Sequence, residues 1–216
     1  MGQGESERVT AWLRDSILDG ERAPGSRLIE RDLAAECGAS RVPVRDALKA
    51  LETEGLVVLR PNTWAIVREF TDEDIRHLEE IRSALEPLAF RLAAQRHDAE
   101  AMDALERALE GERSAAEAGD AVAARRCAAD FHEATSRAAG NPLLDGMMRT
   151  VASQMRWVLS QHDDLVDVTD HHDELLNAIR MRDARRAEEL AVRHASLGRT
   201  WREERSAPTE QRGHTS

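Results

Sequence analysis

The chain is predicted to be a mainly α protein, with an N-terminal winged helix-turn-helix domain followed by an all-helical antiparallel bundle. Three observations predict this. From Pro24 to Asn62 the sequence orders a helix, a tight turn, a second helix and two short strands. From Thr71 onward, apolar residues recur at helical spacing between short breaks. Tyrosine is absent and aromatic residues make up 3%, so leucine, alanine and valine must form the core, as they do in bundles. The boundaries read 1–69 for the winged domain, 70–205 for the bundle and 206–216 for a tail, SAPTEQRGHTS, with the composition of a disordered segment.

In the first domain, Glu30 to Cys37 is rich in helix formers, with Leu33, Ala34 and Cys37 on one face. Gly38 follows where a left-handed residue stops the helix. Ser40 is placed to cap the next helix through its side-chain oxygen. Pro43 falls in that helix's first turn, where a missing amide hydrogen costs little, and Val44, Ala47, Leu48 and Leu51 make its buried face. Gly55 ends it, and Leu56–Leu59 is a short β-rich run. Pro61-Asn62 turns the chain, and Trp64–Val67 returns as the second wing strand.

In the second domain, Thr71-Asp72-Glu73-Asp74 is a capping sequence that opens an apolar repeat through Ile75, Leu78, Ile81, Leu85, Leu88 and Leu92. Breaks at His97-Asp98, Gly119-Asp120, Gly140-Asn141-Pro142, near His162-Asp163 and at Arg182-Asp183 divide the rest into about six helices. No solenoid repeat is visible.

Arg41, Arg45 and Lys49, the last being the only lysine, fall four apart on an exposed face of the second helix of the motif. A basic stripe on that helix suits a DNA major groove. An amphipathic hairpin with solvated arginines is the alternative, and the capped turn and wing weigh against it. The net charge of −11 does not exclude nucleic acid, because a local patch governs binding and most of the acidic excess lies beyond residue 70. Cys37 and Cys127 both lie in helical patterns and read as buried free thiols. No apolar run is long enough for a membrane span and no signal peptide opens the chain, so a cytoplasmic, reduced protein is expected. If a helix pair turns at Asp183, His172 and His194 each lie eleven residues from the turn, about 16 Å along their helices, at one level of the hairpin. Two imidazoles so placed can share an ion.

From Val9 to Val67 the chain resembles the DNA-binding domain of the GntR family of bacterial transcription regulators, most closely over APGSRLIERDLAAECGASRVPVRDALKALETEGLV. That resemblance implies DNA contacts by Arg31, Ser40, Arg41 and Arg45, with Lys49 at a phosphate. Where the family carries a glycine after the Pro-Asn turn, this chain reads Thr63-Trp64, so no wing contact is carried over. Asp72 to about Trp201 is similar to the FCD effector-binding domain of the family's FadR branch. The matching pieces are Ile81-Arg82-x-x-Leu85-Glu86, Phe131-His132 through Pro142, and His172-x-x-Leu175-Leu176-x-Ala178-Ile179 followed by Arg182-Asp183 and His194. This second resemblance implies His132, His172 and His194 as metal ligands and Arg82 as an effector-binding residue.

The family's fourth ligand, an aspartate four positions before the first histidine, is Ala128 here, and Asp130 is turned about 200° away on the helix. Three imidazoles can still hold Zn²⁺ or Ni²⁺ with water or an effector carboxylate, and a metal-free pocket also fits this sequence. An Arg82–Glu86 pair on the helix surface is the alternative for Arg82. Asn141 is expected to fix a turn, and Trp157 to be pocket wall or core.

The function expected is therefore a homodimeric, ligand-responsive transcription repressor on inverted DNA half-sites, released by an organic acid, sugar acid or amino acid. A metal-dependent enzyme finds no residue placed as a general base. A helical interaction protein would show no salt-dependent DNA affinity.

Overall fold

A computed structural model describes residues 2–61, 64–160 and 168–206, with the side chains of 2–3, 158–160, 168 and 197–206 left aside. The wing tip at Asn62-Thr63, the break near His162-Asp163 and the tail lie outside the described residues. The fold is mainly helical, with one small sheet near the N-terminus. In order run α1 (Gly2–Leu18), β1 (Arg27–Ile29), α2 (Glu30–Cys37), α3 (Arg41–Thr53), β2 (Val57–Arg60) and β3 (Trp64–Val67). Among the described residues six helices follow: α4 (Asp72–Arg96), α5 (Ala99–Glu117), α6 (Ala121–Ala138), α7 (Pro142–Ser160), α8 (Val168–Arg180) and α9 (Ala184–Ser206).

Most of the local signals act as expected. Gly38 closes α2 in the left-handed region at φ 66°, where a side chain would be strained. Thr71 and Asp74 form a reciprocal capping box on α4. Asp98 and Asp120 accept the Ala101 and Ala123 amides to start α5 and α6. Asn141 Oδ1 takes the Leu144 amide at 3.3 Å, fixing the turn into α7.

Two expectations for the winged region are corrected. The sheet has three strands, not two: β1 pairs antiparallel with β3, which also pairs with β2, in the order β1-β3-β2. A three-residue strand is too short to show alternation in sequence, and its pairing is supplied entirely by β3. Ser40 has the extended backbone of an N-cap, but its side chain makes no capping hydrogen bond. The reason is Pro43, which occupies the third helical position and so removes one of the two amides a cap can reach.

In α4 the predicted apolar face is wider than expected. Leu92 is buried and Ile75, Leu78, Leu85 and Leu88 pack against the core, but Ile81 is 50% exposed, while Glu79 and Glu86 are buried together with Ala89, Phe90 and Ala93. Charged residues occupy core-facing positions of this helix, which a hydrophobicity count does not register.

Trp157 is not pocket wall. It lies 5% exposed in the core shared by α1, α2, α3 and the sheet, with Ile75 and Leu78 packed against that same cluster and the Phe70 ring 4.9 Å away. Nearby, Gln154 Nε2 donates to the Glu54 carbonyl at 3.1 Å, so α7 is seated against the end of α3. Trp157→Ala is expected to cost about 3–5 kcal/mol through the cavity it leaves, measurable by urea denaturation.

Candidate functional site

Two regions carry chemistry. The first is the exposed side of α3. Its opposite face is sealed, with Val44, Ala47, Leu48 and Leu51 at 0–2% exposure. The helix is anchored to α1 by Arg14, which grips Glu54 through two hydrogen bonds of 2.6 and 2.8 Å. Ser40, Arg41, Val42, Arg45 and Lys49 therefore face outward together.

Arg45 is the most constrained of these. Its Nε and Nη2 donate to Glu30 at 2.9 and 2.8 Å, and Glu30, at the start of α2, is only 5% exposed. The Arg45 guanidinium holds the Glu30 carboxyl below its ordinary value. A buried carboxylate thus sets the direction of an arginine that is itself half exposed. Lys49 stands 3.9 Å from Asp46, and Arg31 reaches its neighbour Asp32, at 2.9 Å with the arginine 74% exposed. Exposed pairs of that kind are weak and can be exchanged for a phosphate. On the wing, the Arg27 guanidinium stacks 4.8 Å from the Trp64 ring.

The second region lies inside the helical bundle. Arg182, a non-glycine residue at φ 55°, turns α8 into α9 and sets them as a hairpin, so His172 and His194 stand side by side with ring centroids 4.8 Å apart. From α6, His132 completes the group, 5.0 Å from His172 and 5.1 Å from His194. The ligand atoms of all three lie within 4.8 Å of one another. His172 is wholly buried and His194 is 6% exposed. The Phe131 ring stacks 4.8 Å from His172, and Phe90 meets His132 edge-on at 5.9 Å.

The surroundings leave the two buried imidazoles neutral. Burial pushes the His172 proton affinity down, against an opposing pull from Glu112, and burial with His172 and Arg82 pushes His194 down further. Neutral imidazole is the form that binds metal.

The fit to a divalent ion can be tested on distances. His132 Nε2 and His172 Nε2 are 3.2 Å apart, and two nitrogens on one tetrahedral zinc, each about 2.05 Å from it, are separated by about 3.3 Å. His194 Nδ1 is buried with no hydrogen-bond partner among the described residues, as a ligand atom awaiting an ion would be. Ala128 is half-buried on α6 and supplies no ligand atom, and Asp130 is exposed, turned away as its two-residue offset requires. The residues present fit an ion held by three imidazoles with its remaining positions open.

Arg82 does pair with Glu86, Nε to Oε2 at 2.9 Å, but the pair is not on the surface, since the side chains are 11% and 4% exposed. Burial alone would push the Glu86 carboxyl up; Arg82 foremost, with His132, holds it well below the usual carboxylate range.

Two carboxylates belong to this site that sequence reasoning does not assign to it: Glu86 is read there only as a surface partner of Arg82, and Glu112 is not singled out. Glu112 on α5 lies 2.7 Å from His172 Nδ1, and Glu86 Oε1 lies 2.8 Å from His132 Nδ1, the latter close but poorly aligned for a hydrogen bond. A signal for Glu112 exists. It continues the buried stripe Leu105, Leu109 at the next core position, where an acid has no reason to be without a partner.

Comparison with known proteins agrees with this architecture. Residues 5–64 match the model of the bacterial regulatory proteins of the gntR family, and residues 71–197 match that of the FCD domain. The repressor NanR of Klebsiella aerogenes is 29% identical, covering 91% of this chain and 85% of its own. The gluconate operon transcriptional repressor of Bacillus licheniformis is 28% identical over 82% and 76% of the two chains. The solved structure of E. coli McbR/YncC superposes with a TM-score of 0.81 at 23% identity, covering 93% of this chain and 98% of that one, which shows a common fold. With a winged domain that presents the arginine face of α3 and an FCD domain that encloses three histidines, this chain belongs to the FadR-type branch of the GntR family of transcription regulators.

Proposed function

We propose that this regulator is a homodimeric repressor that binds inverted DNA half-sites through Arg31, Ser40, Arg41, Arg45 and Lys49, and lets go when a small carboxylate enters the bundle. The observation that carries the reading is the convergence of three imidazoles in the domain joined to the arginine face. His132, His172 and His194 hold a divalent ion, Zn²⁺ or Ni²⁺. Such an ion supplies an open Lewis-acid position for a carboxylate oxygen.

Charge supports a carboxylate ligand. Arg82 holds the buried Glu86 carboxyl ionised, so these two charges already balance each other. A divalent ion adds positive charge to the site, and a carboxylate offsets it, gripped by Arg82 from the other side. A relative named for a gluconate operon makes a sugar acid the first class to try.

Helix α6 offers the route to DNA. It carries His132 and, six residues earlier and about 9 Å along the axis, Arg126, whose Nε donates to Asp19 just beyond the end of α1 at 3.0 Å. Ligand binding that displaces α6 therefore shifts the winged domains, and release follows if the DNA-bound shape binds ligand less tightly. Arg126→Ala is expected to keep DNA affinity within about twofold while removing most of the ligand effect. Gel shifts on the gene's own upstream DNA, with and without Zn²⁺ and a panel of sugar acids, test both statements. No sequence-specific shift at moderate salt would sink the repressor reading.

A further inference from the structure

Glu86 and Glu112 are buried at 3% and 2% exposure, and each is built into the site on both of its oxygens. Glu112 Oε1 accepts the Thr169 hydroxyl at 3.1 Å, while Oε2 faces His172 Nδ1 at 2.7 Å. Glu86 Oε2 takes the Arg82 guanidinium and Oε1 faces His132 Nδ1. An ionised carboxylate only accepts hydrogen bonds, so the nitrogen turned toward it is the one that bears hydrogen. The opposite nitrogens, Nε2 of His132 and Nε2 of His172, then face each other across 3.2 Å, close to the separation of two nitrogens on one tetrahedral ion.

We propose that Glu112 and Glu86 are the positioning residues of the histidine cluster, Glu112 hydrogen-bonded to Nδ1 of His172 and Glu86 facing Nδ1 of His132 at 2.8 Å, so that both Nε2 atoms converge on one cation. The proposal rests on the metal reading under the proposed function. Glu112 sets His172, with Thr169 fixing the carboxylate from behind. Glu86 sets His132 and ties it to Arg82, so the residue that grips the effector is held by the same carboxylate that aims a ligand. Anionic partners on Nδ1 also make the imidazoles stronger donors, which compensates for the missing carboxylate at Ala128.

The test uses the full chain and Zn²⁺, titrated in competition with a chromophoric chelator, and the visible spectrum of the Co²⁺-loaded protein. Glu112→Gln and Glu86→Gln keep the side-chain shape and are expected to weaken Zn²⁺ about tenfold and to shift the Co²⁺ bands. Glu112→Leu, which removes the acceptor, is expected to weaken Zn²⁺ about a hundredfold. Circular dichroism of the glutamine variants checks that they fold, and a structural role alone would not move the Co²⁺ bands. Zn²⁺ uptake by the wild-type chain with affinity and Co²⁺ spectrum unchanged in both glutamine variants overturns the proposal alone. Failure of the wild-type chain to take up Zn²⁺ overturns the metal reading, and the proposal with it.

Discussion

Arg45→Ala is expected to weaken sequence-specific DNA binding by about 5- to 150-fold, the range set by removing one bidentate base interaction worth roughly 1–3 kcal/mol. The structure adds a reason to place the effect at the upper end. Glu30 is nearly buried and its charge is met by Arg45 through two hydrogen bonds. Removing the arginine leaves that carboxylate facing the DNA phosphates without its partner, so a repulsion is added to the missing base interaction. Glu30→Gln separates the two effects. It keeps an acceptor for Arg45 and removes the charge, and is expected to weaken binding less than Arg45→Ala does. Affinities measured by fluorescence anisotropy across a salt series decide the matter. Weakening that is uniform over DNA sequences, with the salt slope reduced by about one, would identify Arg45 as a phosphate-binding residue and move it from base reading to backbone positioning.

His172→Ala is expected to lower stability by roughly 3–5 kcal/mol, because it opens a cavity against Phe131 and leaves the buried Glu112 carboxyl without its 2.7 Å hydrogen-bond partner. His172 is wholly enclosed, and it and the Thr169 hydroxyl are the two groups that hydrogen-bond Glu112 among the described residues. For a chain of this length the loss appears as a fall in melting temperature of roughly 6–20 °C. The metal effect is read separately. Zn²⁺ at a hundred times its dissociation constant is expected to stabilise the wild-type chain by about 2.7 kcal/mol, and a chelator to reverse this. The variant should show neither response. A wild-type melting temperature indifferent to both Zn²⁺ and chelator would remove the ion from the account.

Much of the winged region is legible because its determinants are local. A left-handed glycine after α2, a proline in the first turn of α3 and a buried face repeating at Val44, Ala47, Leu48 and Leu51 each act within a few residues. The capping signals of the bundle are of the same kind, and they place the breaks between α4 and α5, α5 and α6, and α6 and α7. Strand β1 is not legible, since three residues carry no period and its hydrogen bonds belong to β3. The site divides in the same way. His172 and His194 are paired by counting from a turn, whereas His132 is implied only by family resemblance. Glu112 sits 60 positions from the histidine it touches, and no local pattern joins them.

What the sequence by itself determined is the element order from α2 onward, the arginine stripe and the three histidines, all properties of helical period and capping chemistry together with the family pattern they match. Only the tertiary structure decided that Glu79 and Glu86 join the buried face of α4, that Arg45 is aimed by Glu30, that Trp157 seats α7 in the core of the winged region, and that two carboxylates stand behind two imidazoles. The physical reason is that a charged side chain in a helical stripe reads as solvated until its partner is known. At Glu86 and Glu112 the imidazole each carboxylate faces comes from another helix, while Arg82 meets Glu86 from within α4.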